Sequence, residues 1–242
     1  QRRGGAEPGL VWLCGYKSDM NGTKAVHLDG FAERTGRAFL RHDYSGVGAS
    51  QGSADDGTIS LWLAQSLAVF KAQTSGPQVL IGSSMGAWIA LRMIGELANA
   101  GESGRVAGLV LIAPAPDFTT ELIEPNLTEE HRRDLAEKGY FEEGSDYLAE
   151  PNRFSQAFLD DGRANRMMDG IIETFCPVHI LQGMKDEDVP YQHALKLASH
   201  FAKDSVTMSL IPDGDHRLSR PQDLAMLEEA VESMLARVQP SL

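Results

Sequence analysis

A serine flanked by small residues occurs in Gly82-Ser83-Ser84-Met85-Gly86, which fits the pattern G-x-S-x-G. The mainly apolar run 78–81 precedes it, and the largely apolar stretch 85–98 follows it. A strand, a sharp turn and a helix in this order hold the serine hydroxyl clear of the sheet edge, where it can act as a nucleophile. We therefore predict Ser84 as the nucleophile and exclude Ser83, which lies one position too early. The alternative is a tight turn without chemistry.

Activation of a serine hydroxyl requires a base and a group that orients the base. Enzymes with this turn supply them in the chain order serine, acid, histidine. His216 follows the apolar run 206–211, and Asp186 and Asp188 follow the run 178–181. Because side chains just after parallel strands meet at one edge of a sheet, we predict His216 as the general base. We predict Asp186 as the orienting acid, with Asp188 as the alternative.

Acyl transfer through a serine also needs backbone amides that stabilise the developing oxyanion. Cys14-Gly15-Tyr16-Lys17 follows the apolar run 10–13, and a glycine at this point lets the next residue turn its N–H toward the site. We predict the backbone amides of Tyr16 and Met85 as the two donors, with a plain strand-ending turn as the alternative. Cys14 is a poor rival nucleophile, because nothing near it in the sequence would lower its pKa.

Composition argues against several other classes of protein. The seven histidines and two cysteines form no metal-binding pattern, so we predict neither a metal nor another cofactor. A net charge of −12 repels nucleic acid and anionic lipid. No run approaches the roughly 20 apolar residues of a membrane span, so stable membrane insertion is not expected. The expected partner is a small-molecule or acylated substrate, and the sequence does not specify an oligomeric state.

Six short apolar runs alternate with helical patterns along the chain. Continuous apolar character is typical of strands covered on both faces, hence of a parallel sheet. The alternation predicts βαβ units and a doubly wound, mostly parallel α/β fold. A helix is predicted over 59–73 with Thr58 as its N-cap, and another begins near Pro221. The predicted strands contain residues 10–13, 38–40, 78–81, 108–112, 178–181 and 206–211.

Residues 117–172 interrupt this alternation, since they carry helix-like stretches and no strand signal. They hold 14 acidic and 6 basic residues, which accounts for most of the net negative charge. We predict a helical lid inserted into a single domain spanning 1–242, with an ordinary long crossover as the alternative. The apolar side chains of the lid either cover the site or only pack the lid onto the sheet. They are Phe118, Tyr140, Phe141, Tyr147, Phe154, Phe158, Met167 and Met168.

Several longer motifs carry a family resemblance. Arg41-His42-Asp43-Tyr44-Ser45-Gly46-Val47-Gly48-Ala49-Ser50 resembles the D-Y-x-G-x-G-x-S turn of α/β-hydrolases. Residues 15–25, 76–86 and 179–186 are similar to a group of mitochondrial α/β-hydrolases with esterase and thioesterase activity, and to their bacterial relatives. The resemblance covers nearly the whole chain and weakens in 117–172. The family often has Pro-Gly where this chain has Cys14-Gly15.

The resemblance implies the α/β-hydrolase fold, no cofactor, and the triad Ser84, Asp186 and His216. In many members the acid lies four residues before a proline, here Pro190, which favours Asp186. We therefore predict a serine hydrolase that cleaves carboxylic esters or thioesters through an acyl-enzyme. A serine peptidase and a non-catalytic ligand receptor on the same fold are the alternatives.

The acidic lid and the N-terminal residues, which lack the features of a transit peptide, predict the bacterial cytoplasm as location. The mitochondrial matrix is the alternative if a transit peptide preceded residue 1. The two cysteines, Cys14 and Cys176, are expected to be reduced and at least partly buried.

Overall fold

A seven-stranded sheet runs through the described residues of the computed structural model, which are 1–144, 151–201 and 206–238. The strands are β1 (Arg2–Arg3), β2 (Ala6–Leu13), β3 (Arg37–Arg41), β4 (Gln78–Ser83), β5 (Val106–Ile112), β6 (Tyr140–Glu143), β7 (Asn152–Ser155), β8 (Val178–Gly183) and β9 (Val206–Ile211). The helices are α1 (Thr23–Thr35), α2 (Ile59–Gln73), α3 (Met85–Asn99), α4 (Glu129–Lys138), α5 (Gln156–Ala164), α6 (Tyr191–His200) and α7 (Pro221–Val238).

The order of strands in the large sheet is β1-β3-β2-β4-β5-β8-β9. Every neighbouring pair is parallel except β1 with β3, in which Arg2 lies opposite Leu40. Each of the six predicted apolar runs lies within one of these strands, so the mostly parallel sheet is confirmed. The two-residue strand β1 was not predicted, because Arg2 and Arg3 carry no apolar pattern.

Helices cover both faces of this sheet. α1 packs against α7, and α2 packs against α3. The helix predicted over 59–73 is α2, and Thr58 caps it by accepting a hydrogen bond from the Leu61 amide at 3.1 Å. α3 is buried on most of its surface, as its nearly continuous apolar sequence indicates. No helix in the described part of the chain combines the length and apolar character needed to cross a bilayer.

The segment 117–172 between β5 and β8, here called the insertion, is not wholly helical. It contains a π-helical turn (Thr119–Ile123), a 3₁₀ turn (Glu124–Asn126), α4, α5 and the antiparallel hairpin of β6 and β7. The expectation that it lacks strands was therefore wrong. Each hairpin strand has four residues of which only one is buried, Phe141 or Phe154, so the sequence shows no alternation to detect. Tyr147 lies outside the described residues.

The two ends of the insertion are fastened together at Asp117. Its buried carboxylate accepts hydrogen bonds from the amides of Met167, at 2.9 Å to each oxygen, and Met168, at 2.8 Å. Burial raises the pKa of Asp117 even though these amides favour the charged form. The contact closes a loop of about 50 residues at its base.

A buried histidine makes the stability of the fold sensitive to acid. His42 directly follows β3, its Nε2 is 3.2 Å from Ser66 Oγ, and burial lowers its pKa to about 4. The unfolded chain binds this proton near pH 6.5, so stability is lost as the pH falls from 6.5 through 4. The contribution of His42 is at most about 3 kcal/mol.

We therefore expect the free energy of unfolding, measured with urea, to fall between pH 7 and pH 4, and less steeply in His42→Gln. Some slope should remain, since burial also lowers the pKa of His179 and His193. His200→Gln, the same substitution at the end of α6, is the control against which the change of slope in His42→Gln is judged. An unchanged slope in His42→Gln would contradict the assignment.

Candidate active site

Ser84 occupies the turn between β4 and α3 with a backbone φ of 54° and ψ of −119°. A positive φ is unfavourable for a residue with a Cβ and persists only where neighbouring structure holds it. Here the Ser84 amide donates to the Ile112 carbonyl at 2.8 Å, and the Ala115 amide donates to the Ser84 carbonyl at 3.2 Å. Both contacts fix the turn to the end of β5, so the hydroxyl is held at the carboxyl edge of the sheet.

The two glycines of the motif are explained by close backbone contacts. A Cβ on Gly82 would lie 2.5 Å from the Gly86 carbonyl oxygen, and a Cβ on Gly86 would lie 2.2 Å from the Leu13 carbonyl oxygen. No side chain fits at either distance. The spacing G-x-S-x-G is therefore the spacing that lets β4, α3 and β2 approach one another around Ser84.

His216 bridges the serine and an aspartate. Its Nε2 is 3.1 Å from Ser84 Oγ, and its Nδ1 is 2.8 Å from Asp186 Oδ2. An ionised carboxylate only accepts hydrogen bonds, so Nδ1 carries the proton and Nε2 presents its lone pair to the serine hydroxyl. This is the arrangement in which an imidazole can remove the serine proton.

The Asp186 side chain is fully buried, and both of its carboxylate oxygens accept hydrogen bonds. Its Oδ1 accepts the amides of Asp188 at 3.1 Å and Val189 at 2.7 Å, and its Oδ2 also accepts Gln182 Nε2 at 3.1 Å. Asp188, in contrast, is exposed. Of the two predicted acids, the structure brings Asp186 into hydrogen-bond contact with His216.

Three side chains of the site are of types that can bind a metal ion. Asp186, Asp188 and His216 offer oxygen or nitrogen atoms within 4.8 Å of one another, and no other such group of three is found among the described residues. Both ring nitrogens of His216 already have hydrogen-bond partners, Asp186 at Nδ1 and Ser84 at Nε2, so a cation would have to displace one of them. The donor set therefore fits a proton-relay histidine better than a metal site.

The residues predicted as oxyanion donors adjoin the serine. Met85 is the first residue of α3, where an amide has no carbonyl partner within the helix. The loop after β2 reaches the same point, since a Cβ on Gly15 would lie 3.4 Å from Ser84 Cβ. Tyr16 therefore follows a residue in contact with the nucleophile. The donor roles of the two amides remain predictions.

Cys14 lies beside this loop but cannot compete as a nucleophile. It is buried, its sulfur accepts a hydrogen bond from Trp12 Nε1 at 3.2 Å, and burial raises its pKa to about 12. The thiolate is the reactive form of cysteine, so Cys14 is inert near neutral pH. Cys176 is likewise free and buried, which confirms the expectation of two reduced thiols.

A cavity of about 840 Å³ opens in front of Ser84 and His216. The insertion contributes apolar residues, here called the apolar wall, together with the polar residues Asn126, His131, Glu143 and Asn152. The loops after β2 and β8 and the start of α1 contribute polar and charged residues, here called the polar wall. The apolar wall contains Phe118, Leu122, Ile123, Leu127, Phe141 and Phe154. The polar wall contains Lys17, Ser18, Asp19, Lys24, Glu187 and Asp188.

Some apolar residues of the insertion line the cavity, and others pack the insertion onto the rest of the protein. Phe118, Phe141 and Phe154 line the cavity. Phe158 instead packs behind it, with its ring centroid 5.5 Å from that of Tyr16, and Met168 is buried in the core. The wall is thus supported by a second layer of apolar side chains.

Lys24 lines the cavity, and no motif or spacing in the sequence marks it as a functional residue. Its Nζ donates to the Arg217 carbonyl and lies 3.4 Å from Ser219 Oγ, so it holds the segment that follows His216. Burial lowers the pKa of Lys24 to about 8. In the sequence it is one lysine on an amphipathic helix, and its contact lies 193 residues away.

A model of the alpha/beta hydrolase family matches residues 8–227. The chain belongs to the alpha/beta hydrolase family. One relative of this alpha/beta hydrolase is the mouse mitochondrial palmitoyl-protein thioesterase ABHD10, which is 32% identical over 239 residues. That match covers 98% of this chain and 78% of the mouse protein.

Solved structures of other alpha/beta hydrolases agree with this fold over nearly the whole chain. A hydrolase from Agrobacterium vitis S4 has a TM-score of 0.94 and 54% identity, and the match covers 98% of this chain and 92% of that one. Mouse ABHD10 has a TM-score of 0.87 and 32% identity, with coverage of 99% and 94%. The resemblance inferred from the motifs and the α/β-hydrolase fold are therefore confirmed. The family and these relatives identify the protein as a hydrolase.

Proposed function

We propose that this alpha/beta hydrolase cleaves carboxylic esters or thioesters through an acyl-enzyme on Ser84. The observation that carries the proposal is the continuous hydrogen-bonded chain from Ser84 Oγ through His216 to Asp186. It supplies a nucleophile, a base and an orienting acid with the geometry that acyl transfer requires. A ligand receptor on the same fold has no need of such a chain.

In the proposed reaction Ser84 Oγ attacks the carbonyl carbon while its proton passes to His216 Nε2. The oxyanion that forms is stabilised by the amides of Tyr16 and Met85. The bond to the alcohol or thiol then breaks as the imidazolium donates its proton to the leaving oxygen or sulfur. Water, deprotonated by the same imidazole, attacks the acyl-enzyme, the bond between the acyl carbon and Ser84 Oγ breaks, and the imidazolium returns the proton to Ser84 Oγ as the carboxylic acid leaves. Asp186 stabilises the imidazolium in both halves of the reaction.

We further propose that the insertion acts as a lid that binds the acyl group of the substrate. The apolar wall of the cavity supports this assignment, because an acyl chain that replaces water there buries apolar surface. The polar wall is then left for the alcohol or thiol side. The name of mouse ABHD10, a palmitoyl-protein thioesterase, describes an acylated substrate for that relative and agrees with this orientation.

A series of p-nitrophenyl esters from acetyl to octanoyl tests both the proposed ester cleavage and the proposed binding of the acyl group by the insertion. Each methylene buried against the insertion contributes up to about 0.8 kcal/mol, so kcat/KM should rise up to about fourfold per methylene until the wall is covered. Phe154→Ala should shorten the range over which it rises and should change acetyl ester hydrolysis little. The matching p-nitroanilides should be cleaved far more slowly, and a chelator should have no effect.

Phe175→Ala is the matched control, since this phenylalanine is 59% exposed and does not line the cavity. It should keep the wild-type response to chain length. A flat response in the wild type, or one that Phe154→Ala leaves unchanged, would show that the insertion does not bind the acyl group. Activity lost to a chelator and restored by a metal would overturn the metal-free mechanism.

For the location we propose the bacterial cytoplasm. The support is the 54% identity to the chain from Agrobacterium vitis, against 32% to the mouse mitochondrial protein. Fractionation of the native host, with an antibody to this chain, tests it. Recovery in a membrane or organelle fraction would contradict the proposal.

A further inference from the structure

Two side chains next to the predicted oxyanion amide reach across the cavity to the insertion. The Tyr16 hydroxyl donates to the Arg153 carbonyl at 2.8 Å, and Lys17 Nζ donates to the Pro151 carbonyl at 3.0 Å. Arg153 is the second residue of β7 and Pro151 immediately precedes that strand, and the two contacts span 137 and 134 residues of sequence. The loop that carries the Tyr16 amide is therefore fastened to one strand of the insertion.

The ring of Tyr16 is held in the same way. It stacks on Phe154 with 5.4 Å between centroids and an interplanar angle of 20°, and it meets Phe158 at 5.5 Å. Trp62 also makes an edge contact with it at 6.1 Å. Since Phe154 also lines the cavity, the group that supports Tyr16 is one that a bound acyl chain would touch.

The hairpin itself is fixed through Arg153. Its guanidinium bonds Glu142 of β6 at 2.8 Å and Asp55, outside the insertion, also at 2.8 Å. Lys17, in turn, has a φ of 52°, which a residue with a Cβ adopts only where contacts hold it. Its bond to Pro151 is one such contact. The hairpin and the loop after β2 are thus parts of one connected structure.

We propose that the side chains of Tyr16 and Lys17 are positioning residues, through which the hairpin of the insertion sets the Tyr16 amide against the oxyanion. This inference rests on the proposed function. It predicts that an acyl group packed on Phe154 stabilises the hairpin and, through the hairpin, the position of the Tyr16 amide. Part of the binding energy of the acyl group then appears in kcat rather than in KM. The tyrosine hydroxyl and the lysine ammonium carry that coupling.

The experiment compares Tyr16→Phe, Lys17→Met and the double variant with two matched controls. Tyr140→Phe removes a hydroxyl from β6, and Lys138→Met removes an ammonium from the end of α4. Values of kcat and KM are measured for acetyl and octanoyl esters, together with the rate at which a fluorophosphonate labels Ser84. Circular dichroism and thermal melting establish that each variant is folded.

Loss of one such hydrogen bond is expected to reduce a rate about 3- to 10-fold. The double variant should therefore have a kcat for the octanoyl ester roughly tenfold lower, with KM within about twofold of wild type. Its ratio of octanoyl to acetyl kcat should approach one, and labelling of Ser84 should slow by a similar factor. The two single effects should not add, because both hydrogen bonds join the loop after β2 to the same part of the hairpin, and the controls should behave as wild type.

Unchanged kcat in the double variant would overturn the inference, as would a rise in KM alone or an equal loss in the control variants. The proposed function is judged separately. If the fluorophosphonate fails to label Ser84 in the wild type, the proposed function is wrong. If it labels Ser84 in the wild type and labels the double variant at the same rate, only the positioning role is wrong.

Discussion

Replacing Ser84 with alanine should lower kcat for ester hydrolysis by at least about 10³-fold while the fold is retained. The substitution removes the oxygen that attacks the carbonyl and leaves Cβ in place, so the unusual backbone of the turn meets no new contact. The Ser84 hydroxyl is hydrogen-bonded to His216 at 3.1 Å, and loss of that bond changes the free energy of unfolding by about 1 kcal/mol. Steady-state kinetics and thermal melting on the same preparation measure both quantities.

Ser83→Ala is the matched control for this experiment. Ser83 is buried at the end of β4 and differs from Ser84 by one position. Its loss should reduce kcat by less than about tenfold, because no step of the mechanism passes through it. If Ser84→Ala keeps more than a tenth of the activity, or if Ser83→Ala is the more damaging change, the nucleophile has been assigned wrongly.

The parallel strands could be predicted because they are buried on both faces. A run such as Leu109 to Ile112 is apolar at every position, and each side chain there is buried. The hairpin of the insertion could not be predicted, since Phe141 and Phe154 are the only buried residues of its two strands. Their pairing is visible only in the fold, where each Phe lies opposite the other.

The positions of Ser84, Asp186 and His216 at one edge of the sheet could be predicted from the sequence for a related reason. Ser84, Asp186 and His216 each follow a recognisable strand, and parallel strands bring such positions to one edge of the sheet. Lys24 and the side chain of Tyr16 have no such local signal. Their partners are backbone carbonyls more than 130 residues away, and any residue type offers a carbonyl. Contacts of this kind depend on the tertiary fold and leave no pattern in the residues that accept them.

The order and spacing of the strands do not decide whether Asp186 or Asp188 orients His216. Asp186 and Asp188 lie in one loop, and either could follow β8 into the site. Burial separates them, because Asp186 has no exposed side-chain surface and accepts four hydrogen bonds from protein groups. Asp188 contributes its backbone amide to that set. The loop therefore uses one acid to bind the histidine and the backbone of the other to hold the first.

Asp186→Asn should reduce kcat by about 10⁴-fold, and Asp188→Asn by less than about threefold. An asparagine at 186 should keep its amide oxygen toward the N–H groups of Asp188 and Val189, which now bond Oδ1. Its NH₂ group must then take the place of Oδ2 and face His216 Nδ1 as a donor. The imidazole is thereby forced into the tautomer that carries its proton on Nε2, where it cannot accept the proton of Ser84.

The same substitution sets two buried donors against each other, since Gln182 Nε2 also bonds Oδ2. A destabilisation of about 1–3 kcal/mol is expected from that contact, so kcat must be measured below the melting temperature of the variant. The exposed Asp188 side chain offers a control at the same loop and with the same chemical change. A greater loss of kcat in Asp188→Asn than in Asp186→Asn would transfer the role of orienting acid to Asp188. Equal, small losses would show that neither carboxylate orients His216.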